Sequence, residues 1–97
     1  MSDFNTNDIG TLIEQLLRAY GYDEQLKRIK VKEYFKELVG EQIAKKITGI
    51  YIKDKVMVVK ISSSVMRNEL QYVKSELIKK INQFARDPEY IEEIILK

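Results

Sequence analysis

The sequence contains no cysteine and no histidine. Without thiols there is no disulfide framework and no cysteine nucleophile, and without imidazole there is no Ser-His or Cys-His pair, no zinc finger and no imidazole acid or base. Glycine is scarce. Gly10, Gly21, Gly40 and Gly49 stand alone, none opens a glycine-rich turn between strand and helix, and a phosphate-binding loop is thereby excluded. No apolar run approaches the ~20 residues that span a bilayer. The opening MSDFNTND is polar and acidic, where a secretory signal would be basic and then apolar. A soluble, cytoplasmic protein with no membrane contact is expected.

The 97 residues that remain to be explained are 44% hydrophobic and 33% charged. That supplies one core and is too regular for a disordered segment. There is no internal repeat, low-complexity tract or Gly/Ser linker, so a single domain over residues 1–97 is expected, with 1–7 flexible. Carboxylates do not converge on a reaction centre. Glu92 and Glu93 are strand neighbours pointing to opposite faces. Glu33 and Glu37 are one helical turn apart among lysines, where i,i+4 surface pairing explains them. The run Ser62, Ser63, Ser64 has no histidine to activate it and suits a helix cap. The expectation is therefore no enzymatic activity, no metal, no organic cofactor and no small-molecule substrate.

Charge is unevenly spread under a net +2. Residues 1–24 hold one base, Arg18, against five acids, a net of −4, whereas residues 25–60 hold ten bases against four acids, a net of +6. A basic middle third fits an acidic partner, either a phosphate backbone or an acidic protein face, and fits equally a set of solvated surface lysines.

Periodicity places the elements. Ile9, Leu12, Ile13, Leu16, Leu17 and Tyr20 recur at helical spacing and predict a core-facing amphipathic helix, capped by Asn7 or Asp8 and ended by Gly21. Leu26, Ile29, Tyr34, Phe35, Leu38 and Val39 predict a second helix from Asp23 to Gly40. Val31 sits off its stripe, so a kink or break near residue 31 is expected. Glu41 to Lys46 reads as a short further turn carrying Ile43 and Ala44. From Ile50 the period changes to two, and Ile50 and Ile52, the pair Asp54-Lys55 and Val56 to Ile61 predict a β-hairpin. Asp-Lys leaves the turn type open. With apolar residues on both sides, the second strand reads as covered on both faces, or as central with one face partly wet. The three serines cap one long helix with the stripe Met66, Leu70, Val73, Leu77, Ile81 and Phe84, which Asp87-Pro88 stops. Tyr90 to Leu96 is the last strand, beside either the first or the second.

The fold expected is α+β, in the order αββαβ with an extra leading helix, with helices on one face of a three-stranded mixed sheet. Its core is Phe35, Leu38, Val39, Ile43, Val58, Leu70, Val73, Leu77 and Ile81. The candidate binding residues are Lys45, Lys46, Lys53, Lys55, Lys60 and Arg67, with Tyr51 for stacking on a base. For Tyr51 the competing reading is packing beneath a helix with the hydroxyl at the rim.

Two segments carry a resemblance. FKELVGEQIA at 35–44 and ISSSVMRNELQYVKSELIKKIN at 61–82, on either side of the hairpin, resemble the DciA family of bacterial replicative-helicase loaders and its short relatives. That family's pattern has an aromatic, usually Trp, ahead of a Val-Gly pair, two strands, a serine-rich helix start and a second Trp four residues before a leucine. Phe35 stands at the first position with Val39-Gly40 intact, and Met66 stands at the second, four before Leu70. The resemblance implies a KH-like domain that binds the replicative DNA helicase and, weakly, single-stranded DNA, as an adaptor or loading factor. The alternative is a standalone nucleic-acid-binding module using the basic hairpin.

Overall fold

The computed structural model describes the backbone of residues 4–97 and the side chains from residue 11 onward. The chain forms two compact units, Met1–Lys30 and Val31–Lys97.

The first unit contains α1 (Phe4–Ala19) and the start of α2 (Asp23–Val39). Gly21 joins them at φ 82°, a left-handed conformation that an L side chain disfavours. The Tyr22 amide donates back to the Leu17 carbonyl at 2.9 Å. Polar side chains tie the two helices together: Lys30 meets Glu14 at 2.9 Å, and Arg18 lies 3.8 Å from Asp23 and 3.9 Å from Glu14. The stripe expected to face a core does not do so. Leu12, Ile13, Leu16 and Tyr20 are exposed and only Leu17 is half-buried, because a pair of helices can cover only one sector of α1. α1 starts at Phe4, so Asn7 and Asp8 lie inside the helix and do not cap its start; the side chains of residues 1–10, Ile9 among them, lie outside the described ones.

The second unit holds the remainder of α2, then α3 (Glu41–Ala44), β1 (Ile47–Lys53), β2 (Val56–Ile61), α4 (Ser64–Gln71), α5 (Lys74–Ala85) and β3 (Glu93–Leu96). The strand order is β1-β2-β3, with β1 antiparallel and β3 parallel to the central β2. This is the expected α+β fold with a mixed three-stranded sheet, and the last strand lies beside the second. Pairing of Ile50 with Val59, Ile52 with Met57 and Met57 with Ile94 sets one row of alternating apolar residues on a single face. Val31 and Phe35 of α2, Leu70 of α4, and Leu77, Ile81 and Ala85 of α5 join that row in one buried cluster.

Several expectations change. The helix does not break at Val31: α2 is continuous and Val31 is fully buried together with Phe35. At 100° per residue, Leu26 and Ile29 point away from the side that carries Val31, Phe35 and Leu38. The apolar stripe changes sides where the first unit ends, and a sequence reading takes that change for a kink. The single long helix after the serines is two. At Tyr72 and Val73 the amides bond three residues back, to Glu69 and Leu70, and α5 restarts at Lys74. Val73, expected in the core, is 42% exposed at this junction, yet Leu70 and Leu77 keep their phase. Phe84 leaves the stripe to stack on Tyr34, with ring centroids 4.2 Å apart. Val58 is half-buried on the opposite face of β2 from Met57, Val59 and Ile61. Leu38, Val39 and Ile43 pack against the core partly buried. The hairpin turn takes positive φ at both Asp54 (54°) and Lys55 (66°), the type I′ geometry that follows the twist of paired strands. Of the three serines Ser63 is the cap, its hydroxyl accepting from the Met66 amide at 3.3 Å.

Candidate interaction surface on the sheet

One face of the sheet is covered by α4 and α5, and strand alternation sends every second residue to the other. From β1 these are Gly49, Tyr51 and Lys53, from β2 Val56, Val58 and Lys60, and from β3 Glu93 and Ile95. The register sets Tyr51 beside Val58, and Val58 beside Ile95. Tyr51, Lys53, Lys60 and Ile95 are exposed, with Val58 half-buried among them. The face therefore has an apolar centre, Tyr51-Val58-Ile95, with lysines on either side.

Gly49 shapes the centre. A Cβ at this position would come within 3.2 Å of the Tyr51 hydroxyl oxygen and 3.4 Å of its ring. The ring thus leans along β1 over bare backbone, as aromatics do beside strand glycines. Lys60, cross-strand from Gly49, holds its ammonium 5.5 Å from the Tyr51 ring centroid, a cation–π distance. Tyr51 remains 53% exposed and lies on the face away from α4 and α5.

The seven candidate residues do not form one patch. Tyr51, Lys53 and Lys60 share the open face. Lys55 occupies the hairpin turn beside them, 3.5 Å from Glu89. Lys45 and Lys46 are exposed just before β1, about 20 Å along the strand from Lys53 at ~3.3 Å per residue. Arg67 stands apart: its half-buried guanidinium donates to the Ile61 carbonyl at 2.8 Å, so it fastens α4 to the end of β2. Val58, Ile95 and Gly49 were missed as parts of the surface. The usable signal was the two-residue turn, which pairs Lys53 with Val56 and so puts Tyr51, Val58 and Lys60 on one side.

Among the described residues no group of three or more carboxylates could hold a metal ion, and no helix is long and apolar enough to cross a membrane. The unit Val31–Lys97 is a small α+β arrangement with one covered and one open sheet face. A family model described as Dna[CI] antecedent, DciA, matches residues 8–96. The chain belongs to the DciA family, by name one of replicative-helicase loaders. No curated protein and no solved structure matches it.

Proposed function

We propose that this domain is a non-enzymatic adaptor that binds the bacterial replicative DNA helicase, assists its loading, and contacts single-stranded DNA weakly through the open sheet face. Family membership over nearly the whole chain carries the reading. The domain works in the cytoplasm, where that helicase acts, and needs no cofactor, metal or small-molecule substrate. Its basic hairpin, Lys53 and Lys55, with Lys60 beside it, steers an acidic partner surface toward the sheet, which speeds encounter more than it strengthens the complex. Tyr51 offers a ring to one base, and the few lysines nearby neutralise a handful of phosphates. Log affinity for single strands then falls with log salt at roughly −0.7 per phosphate contact.

The exposed Tyr51 ring beside Lys60 favours one second reading, a standalone nucleic-acid module. A pull-down from nuclease-treated lysate of the source organism separates the two, comparing the wild type with Lys53→Glu/Lys55→Glu. Helicase recovered by the wild type alone supports partner and patch together. Equal recovery by both rejects the patch, and no helicase with either, alongside tight binding of single-stranded DNA, transfers the function to the nucleic-acid module.

A further inference from the structure

The open stripe of α1 is a second surface, chemically unlike the sheet face. Leu12, Ile13, Leu16 and Tyr20 are 63, 53, 54 and 70% exposed and occupy one sector of the helix at 100° per residue. No charged residue enters the sector they span. Glu14 and Arg18 lie on the other side of α1, where Lys30 and Asp23 engage them. We propose that this stripe is a homodimer interface, on which α1 of a second copy packs antiparallel across a two-fold axis with Leu12 of one copy against Leu16 of the other.

Three observations select a second copy over other occupants. Four large apolar side chains more than half exposed leave on the order of 500 Å² open, the upper part of the ~300–600 Å² range for a monomer's largest patch. Doubled by symmetry, they can bury up to about 1,000 Å², the lower bound for a specific interface. The stripe itself puts no charge into the contact, and antiparallel helices set opposite dipole ends side by side. The net −4 of residues 1–24 disfavours an anionic bilayer and repels a second copy only from outside the contact, where physiological salt screens it within ~8 Å; a charged protein partner would find no complementary charge within the stripe. Finally, within the unit Met1–Lys30 two helices bury only one side of α1, and pairing two such helical hairpins supplies a second layer, as in a four-helix arrangement.

The test is sedimentation velocity of the full chain over about a hundredfold range of micromolar concentration, where mass action moves a homodimer equilibrium. The wild type is expected to shift from monomer to dimer. Leu12→Glu/Leu16→Glu, which places four carboxylates at the two-fold axis, is expected to stay monomeric throughout. The milder Leu16→Gln should weaken dimerisation at least about fivefold, and the far-ultraviolet circular dichroism spectrum checks that both variants keep the wild-type helix content. A wild type that stays monomeric across the range overturns the proposal, and so does a dimer that survives Leu12→Glu/Leu16→Glu. Loss of helicase binding in those variants with a monomeric wild type would give the stripe to the helicase instead.

Discussion

At the scale of single residues, Asn82 ties α5 to the chain that leads into β3. Its amide nitrogen donates to the Pro88 and Ile91 carbonyls at 3.0 and 3.1 Å, and its oxygen accepts from the Ile91 amide at 3.0 Å. It is buried, so a truncated side chain leaves backbone groups unpaired away from water. Asn82→Ala should cost about 3 kcal/mol, a large part of the ~5–15 kcal/mol that holds a domain of this size. Chemical denaturation measures it, and a cost below ~1 kcal/mol would contradict the role. Nothing in the sequence marks Asn82, which reads as one more polar residue in an amphipathic helix; its partners are brought to it by the chain after Pro88. Tyr51 was legible as an exposed aromatic near lysines, but Gly49 lying beneath its ring was not. On the proposed DNA contact, Tyr51→Ala removes about 1–3 kcal/mol of stacking, roughly a 5- to 150-fold loss of affinity for a short single strand. Fluorescence anisotropy at low salt reads this, and unchanged affinity would take Tyr51 out of the contact.

At the scale of elements, the hairpin turn carries two non-glycine residues in the left-handed region, Asp54 and Lys55. Lys55→Gly removes one unfavourable conformation, since Asp-Gly is a preferred type I′ pair. It gives up an exposed ion pair with Glu89 worth little. A net gain of about 0.5–1 kcal/mol is expected, and a fall in melting temperature would contradict the turn assignment. The helical hairpin of α1 and α2 has its own pH signature. The hydrogen bond from Lys30, with the charges of Lys30 and Arg18 adding to it, holds the Glu14 carboxyl below its ordinary value of 4.5. A lowered folded-state value means that the contribution is complete above the unfolded value and fades as pH falls through the folded one. The Glu14 carboxyl carbon should therefore titrate by NMR with a midpoint below 4.5, and Lys30→Ala should raise it. A wild-type midpoint at or above 4.5 would remove the pairing. Element types and order were legible from period alone, whereas boundaries inside helices were not. The break at Tyr72 and Val73 leaves the apolar phase intact, and the change of side in α2 imitates a kink.

At the scale of the whole molecule, the family was legible because its motif positions, Phe35, Val39, Gly40 and Leu70, lie at or beside the core of the unit Val31–Lys97. Fold-determining residues identify a fold, and they leave the binding surface to be found from the register. Val58, expected in the core, is half-buried on the open side of the sheet, and the α1 stripe, expected to face a core, offers an apolar face to solvent. The proposed adaptor role requires a direct contact with the replicative helicase. The sharpest measurement of it is a titration of the fluorescently labelled full chain with purified helicase from the same organism, freed of nucleic acid and followed by anisotropy. A saturable isotherm that Lys53→Glu/Lys55→Glu weakens by about tenfold or more, equivalent to ~1.4 kcal/mol, is the predicted result. A flat titration, with helicase in excess and the domain folded, would contradict the adaptor role.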